Sequence, residues 1–270
     1  IEERIDLLNR LKRKYGGSLA SVAAHLERAT VELGKVEGVE EQIEEVNKEI
    51  SQIKQLLGKT ASLLSEQRMT AAGQLSAEVE EQLHLLEMQK ARFQVSHKHT
   101  EAEEGLSIGG CGLAFDASGV DQIEFLIETN PGEGFKPLAK TASGGETSRL
   151  MLALKTVLAE VDHIPTLVFD EIDSGIGGRV GMTVGGMLWN LGKKHQVLCV
   201  THLPQLAAFG DLHFHVSKRS ENGRTSTQVE KLEGEERVEE LAAMLGASTS
   251  VTLESAREIL GTVAKITSTI

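Results

Sequence analysis

Apolar residues at alternating spacings of three and four dominate the first third of the chain. Leu19, Val22, Leu26, Ala29, Leu33 and Val36 step by 3, 4, 3, 4 and 3, and Val39, Ile43, Val46, Ile50, Ile53 and Leu57 step by 4, 3, 4, 3 and 4. A 3.5-residue repeat lays a narrow apolar seam along one side of a helix, with Glu, Lys and Gln on the other faces, as in a coiled coil. One helix cannot bury such a seam, so it requires a second: another copy, or an upstream arm. Val36 to Val39 is three where four is due, and Gly34 and Gly38 flank the slip, so the supercoil is expected to distort there. A weaker continuation runs through Leu75, Val79, Leu83 and Leu86. Tyr15-Gly16-Gly17-Ser18 interrupts the pattern, with Ser18 placed to cap the helix that follows. Residues 1–104 are therefore read as a coiled-coil arm with a turn near 15–18.

At Gly105 the character changes, and Gly, Pro and β-branched residues become frequent. Residues 111–116 and 122–128 read as a hairpin joined by 117–120. A helix over about 145–160, a strand at 166–170, a helix over about 178–193 and a strand at 196–201 follow. A short helix after Pro204, an edge hairpin around Glu221-Asn222-Gly223 and two closing helices complete the pattern. Leu167-Val168-Phe169 and Val197-Leu198-Cys199-Val200 are continuous apolar runs, as expected for strands covered on both faces. The alternation predicts that residues 105–270 form an α/β domain with a largely parallel sheet flanked by helices, its active groups at the strand C-termini.

Charge narrows the partners. The net charge is −12, with 14 basic against 19 acidic side chains in residues 1–104 and 14 against 21 in residues 105–270. Any contact with nucleic acid must use a local patch, and the densest is Arg10, Lys12, Arg13 and Lys14, which equally fits a solvated helix end. Cys111 and Cys199 lie far apart without metal-ligand spacing and read as buried small apolar residues in a reducing cytosol. No stretch has the length to span a bilayer, and no secretory signal opens the sequence. It starts at Ile1, inside a helical pattern, and so reads as a fragment. The pairs His97/His99 and His213/His215 have no further ligands in sight and read as surface or edge-strand residues.

Two segments carry chemistry together. Thr141-Ala142-Ser143-Gly144-Gly145-Glu146 opens a helix, and 20 positions after Glu146 the run Thr166-Leu167-Val168-Phe169 begins, ending in Asp170-Glu171. A small-residue turn at a helix start offers unpaired N–H groups and a positive dipole end to a phosphate. Ser143 with Glu146 three residues on also fits a capping box, and the two readings are compatible. A buried strand ending in adjacent carboxylates can give one, Asp170, to Mg²⁺ and the other, Glu171, to an attacking water. His202, after the next apolar strand, can contact a γ-phosphate. Singly, these are solvated loop acids and a polar strand cap; their weight comes from their order. No Gly-x-x-x-x-Gly-Lys-Ser/Thr loop is present: Gly58-Lys59-Thr60 has Ile53 where the first glycine belongs, within a helical context.

In this order the segments resemble the C-terminal lobe of an ABC-type ATPase head. Residues 141–146 match its signature loop, 166–171 its Walker B strand with the catalytic glutamate, Ile172-Asp173-Ser174-Gly175 its D-loop, and His202 its switch histidine. Residues 10–16, 130–133, 142–155, 170–178 and 200–208 carry a closer resemblance, spanning essentially the whole chain, to the bacterial DNA-repair branch of the SMC-like ATPases. In that family a coiled coil is inserted between the two lobes of the head. The N-terminal lobe, with its Walker A loop and Q-loop, is missing here.

The resemblance implies ATP and Mg²⁺ as cofactors, with ATP held between two heads. Asp170 (Mg²⁺), Glu171 and His202 would act from one side, and Ser143, Gly144, Gly145 and Glu146 from the other, with Asp173 and Ser174 in the D-loop. Implied partners are DNA, the N-terminal lobe carrying Walker A, and a second copy through the heads, the coiled coil offering another contact; no membrane is expected. The implied function is recombinational repair of double-strand breaks in the bacterial cytoplasm, at the nucleoid, with this fragment inactive by itself. Alternatives are another SMC-like ATPase (cohesin-like or zinc-hook) and a non-hydrolytic coiled-coil scaffold. A transporter ATPase shares the motifs but does not account for the seam.

Overall fold

The computed structural model describes residues 1–140, 144–221 and 224–269. Helix α1 spans Glu2–Tyr15 and α2 spans Leu19–Leu85, 67 residues. Between them Gly16 adopts φ 109° and Gly17 φ 82°, and the Gly17 N–H donates to the Lys12 carbonyl at 2.6 Å. Such left-handed conformations end a helix cheaply only at glycine. Ser18 does cap α2: its Oγ accepts the Ser21 N–H at 3.1 Å, while Ser21 Oγ accepts the Ser18 N–H at 3.2 Å. The reciprocal pair is a capping box with serine in the usual Glu position. The Tyr15 ring stacks on His25, centroids 4.4 Å apart.

The backbone of α2 stays helical through Gly34 and Gly38, and Gly58-Lys59-Thr60 is part of it, not a phosphate loop. Along the seam Leu26, Leu33, Val36, Val39, Ile43, Val46, Ile50 and Ile53 are all exposed. The helix ends at Leu85, and residues 92–104 of the stretch read as arm are mostly β-strand.

The chain divides into two compact units. The first comprises Ile1–Glu66 and His99–Asp121. Here β2 (Glu101–Ile108) pairs antiparallel with β3 (Cys111–Leu113) across Gly109-Gly110, and Leu106, Leu113 and Val120 bury against Ala61. Asp121 Oδ1 accepts the Ser65 hydroxyl at 2.6 Å and lies 3.0 Å from His99 Nε2.

The second unit comprises Gln67–Lys98 and Gln122–Ile270. Strand β1 (Arg92–Lys98) pairs with β4 (Gln122–Glu128), placing Phe93 opposite Ile127 and Val95 opposite Phe125; β5 (Lys136–Pro137) adds to β4. The hairpin expected between 111–116 and 122–128 is thus not formed. Cys111–Leu113 turns back on β2 through the tighter diglycine, and Ser118 N and Oγ both bond the Asp116 carboxylate, closing a small local turn. Helix α3 (Gly144–Leu158), β6 (Thr166–Phe169), α4 (Gly178–Leu191), β7 (Gln196–Cys199) and the short α5 (Pro204–Ala207) follow. Strands β6 and β7 pair in parallel, Phe169 opposite Cys199. The expected edge hairpin is β8 (His213–Glu221) with β9 (Arg224–Leu232), its expected turn residues Asn222 and Gly223 lying outside the described residues, and α6 (Gly234–Met244) and α7 (Ser250–Thr269) follow.

The main core gathers Val79, Leu83 and Leu86 from the end of α2 and just beyond with Phe93, Ile127, Leu150, Leu152, Leu167, Phe169, Ile172, Val184 and Leu188. A second cluster joins Phe209 to Leu241, Ala242, Ala256 and Val263. The strand pair β6–β7 has one covered face only. Leu167 and Phe169 are buried in the core, whereas Val168 is 69% exposed and Leu198 49%. A continuous apolar run signals two covering layers, and the described residues supply one.

The middle of α2 and its C-terminal end should respond differently to side-chain truncation. Leu83→Ala, at a fully buried site, should lower unfolding stability by about 2–5 kcal/mol. Leu56→Ala, at an exposed site, should change it by about 0.5 kcal/mol or less. Denaturant titration of the two variants checks this.

Candidate active site

Every site residue described from α3 onward lies in the second unit, where the loop after β6 meets the start of α3 and the end of β7. Asp170 leaves β6 exposed, its Oδ1 accepting the Glu171 N–H at 2.9 Å and its carbonyl accepting the Ser148 hydroxyl at 2.8 Å. Glu171 has φ 54°. For a side chain with a Cβ this left-handed conformation costs roughly 1–2 kcal/mol, so the surroundings must impose it.

They do so through α3. The Arg149 guanidinium is buried, and its Nη1 donates to the carbonyls of Ser174 at 2.8 Å and Ile172 at 3.3 Å. Burial pushes this guanidinium below its ordinary range, opposed by the nearby Glu146 carboxylate. Gly144 and Gly145 let the helix start close against the same loop. A Cβ on Gly144 would fall 2.0 Å from Glu171 Oε2, and one on Gly145 would fall 2.9 Å from Ser174 Cβ and 3.0 Å from its carbonyl. The close approach expected of these glycines is therefore used, in part, inside this chain. Ser143 lies outside the described residues, as do Thr141 and Ala142.

Asp173 is only 3% exposed. Its Oδ2 accepts the Thr201 hydroxyl at 2.6 Å and the His202 backbone N–H at 2.8 Å, and lies 3.0 Å from His202 Nδ1. The His202 side chain is otherwise open, 71% exposed. Asp170, Glu171, Asp173, Ser174, Gly144, Gly145 and His202 are thus brought together, with Glu146 in the first turn of α3. Sequence reasoning assigned no role to Ser148, Arg149 or Thr201. Ser148 and Arg149 lie within the stretch that carried the family resemblance, but no local pattern singles out which of its polar side chains turns inward.

Arg10, Lys12, Arg13 and Lys14 lie on the C-terminal half of α1, in the first unit, with Lys14 Nζ 5.2 Å from the Tyr15 ring centroid. Among the described residues no group of three or more His, Cys, Asp or Glu side chains could hold a metal, and no helix is long and apolar enough to cross a membrane. Mg²⁺ needs no such cage. It binds through one or two carboxylates, waters and substrate phosphates, and an exposed Asp170 at a strand end suits that role. Both cysteines are free, but the burial expected of them fails for Cys111, which is exposed on the short edge strand β3, while Cys199 is partly buried. Burial, reinforced by Asp173 and Asp170, pushes the Cys199 thiol up to about 12. Because the thiolate is the reactive form, Cys199 should resist iodoacetamide at mildly alkaline pH while exposed Cys111 is alkylated. Peptide mass mapping checks the order, and equal labelling would contradict it.

No protein-family model matches the chain. It is 38% identical over 262 residues to the DNA repair protein RecN of Halalkalibacterium halodurans, covering 96% of this chain and 45% of that protein. To RecN of Bacillus subtilis strain 168 it is 34% identical over 265 residues (96% and 46%), and to RecN of Treponema pallidum 39% over 262 residues (96% and 45%). Among solved structures it is similar to the Smc head domain with a coiled coil and joint from Pyrococcus yayanosii, with TM-score 0.49, 19% identity, and coverage of 90% of this chain and 42% of that one. An Smc head from Pyrococcus furiosus with an extended coiled coil gives TM-score 0.42 at 18% identity, covering 85% and 49%. The chain spans about half the length of the curated relatives it matches. It is a relative of the RecN DNA repair proteins over nearly its whole length, and corresponds to a C-terminal portion of them.

Proposed function

We propose that the chain is the C-terminal lobe, with its coiled-coil arm, of an SMC-like ABC-type ATPase head that uses ATP binding and hydrolysis to control DNA engagement during repair. The observation that carries this reading is the convergence of Asp170 and Glu171, leaving β6, with the N-terminus of α3 and with His202, just beyond the parallel neighbour β7. Carboxylates and an imidazole at the C-terminal ends of adjacent parallel strands, beside a helix start, suit phosphoryl transfer to water. The relatives' name supplies the DNA-repair context.

In this reading Mg-ATP supplies the phosphoryl group and a cation that neutralises its charge. Asp170 holds the cation from the strand end. Glu171 accepts a hydrogen bond from the attacking water, for which its carboxylate must first leave Gly144. His202 faces the γ-phosphate. Gly144 and Gly145 offer the N–H groups of the α3 N-terminus to nucleotide held by a second head, with Ser143 assigned to the same role by the signature match and Glu146 in the first turn, while Asp173 and Ser174 form the loop between. The phosphate cradle comes from the Walker A lobe, which also covers the open face at Val168 and Leu198. The exposed seam of α2 takes the returning arm of the same protein, or a second copy, as its partner. Hydrolysis then parts the heads and moves the arms. The setting is the bacterial cytoplasm, and the DNA contact is the basic end of α1.

Two experiments test this. In the full-length protein Glu171→Gln should keep ATP binding and lower turnover about 100-fold or more, the typical contribution of a general base. Turnover and DNA-repair activity that both survive the change point to a non-hydrolytic scaffold. Reversing Arg10, Lys12 and Arg13 to Glu should weaken DNA binding and flatten its salt dependence, by about one in log–log slope for each phosphate no longer neutralised. An unchanged slope returns the patch to a solvated helix end.

A further inference from the structure

We propose that Asp173 is a positioning residue for His202, fixing the imidazole with Nδ1 turned inward and Nε2 presented to the nucleotide; this rests on the ATPase reading above. Asp173 Oδ2 already accepts the His202 backbone N–H at 2.8 Å, a group that can only donate, and the Thr201 hydroxyl at 2.6 Å, whose own lone pair is used by the Leu203 N–H. Two donors converging on one oxygen mark it as an acceptor. The ring nitrogen facing it lies at 3.0 Å, where a bare lone pair would be repelled by the carboxylate, so the hydrogen is assigned to Nδ1 and Nε2 is left free. A ring so exposed has no other reason to hold one orientation, whereas the carboxylate that holds it is almost completely buried.

The same oxygen grips both the backbone and the ring of His202, so ring position and loop position cannot vary independently. Asp173 is itself fixed on either side. The carbonyls of Ile172 and Ser174 both accept from Arg149, and Ser174 lies against Gly145. His202 is therefore placed by a chain of contacts running back to the first turns of α3. Asp173 need touch no nucleotide to matter. Its effect passes through the imidazole, as carboxylates act on histidines elsewhere.

The test is nitrogen NMR of the full-length protein with labelled histidine at alkaline pH, the His202 ring being assigned by its loss in His202→Gln. The expected spectrum has Nδ1 protonated and Nε2 bare, and an Nε2–H ring in the wild type overturns the proposal without any Asp173 variant. Asp173→Ala should shift the proton to Nε2 and lower kcat for ATP about 10- to 100-fold, the range seen when a group orienting a histidine ligand is removed, with KM nearly unchanged. A kcat within about twofold of wild type, judged against the general-base range, overturns it. Thr201→Val removes another partner of the same carboxylate but should leave the Nδ1–H form in place; loss of that form there would mean a general loop-structuring role instead. Absence of turnover in the wild type would sink the ATPase reading, and with it the catalytic part of this proposal, while the spectrum still decides the pairing itself.

Discussion

A buried guanidinium organises the site. Arg149 on α3 binds the carbonyls of Ile172 and Ser174, and without that grip the loop after β6 would have no reason to hold Glu171 in a left-handed conformation or Asp173 beneath His202. A charge this well buried is costly unless it is hydrogen-bonded, so the loop and the helix start must keep their relative positions. The two glycines serve the same end, since anything larger at Gly145 would press on Ser174. The helix that would sense nucleotide on a second head is thereby tied to the carboxylates that would act on its own.

Much of this was legible in the sequence where the signal is local. The bounds of β6 follow from a short apolar run ending in two acids, and the start of α3 from Gly144 and Gly145. The Ser18 cap and the β8–β9 hairpin follow from capping and turn chemistry, and Ile53 was enough to exclude a phosphate loop at Gly58-Lys59-Thr60. Each depends on a few neighbouring residues whose backbone preferences agree.

What was missed is non-local. Strand β1 pairs with β4, about thirty residues later, and its apolar members Phe93 and Val95 follow directly on Leu83 and Leu86, so the helical pattern masks the change of period. Strand β2 begins with Glu101, Glu103 and Glu104, a composition that reads as solvated helix. Asp173 and His202 are likewise 29 positions apart, and only the parallel pairing of β6 with β7 brings the ends of those strands together. The exposed Val168 and Leu198 show the reverse case: the sequence describes a strand covered on two sides, and the described residues cover one.

The central claim is that this chain holds the carboxylate half of an ATP site whose phosphate cradle lies on another lobe. Steady-state ATP hydrolysis, measured for the chain alone and after mixing with the Walker A lobe of the same protein, tests it most directly. The account predicts no turnover by the chain alone and clear turnover in the mixture. Hydrolysis by the chain alone, or intact ATP in a mixture shown to be folded and associated, would contradict it.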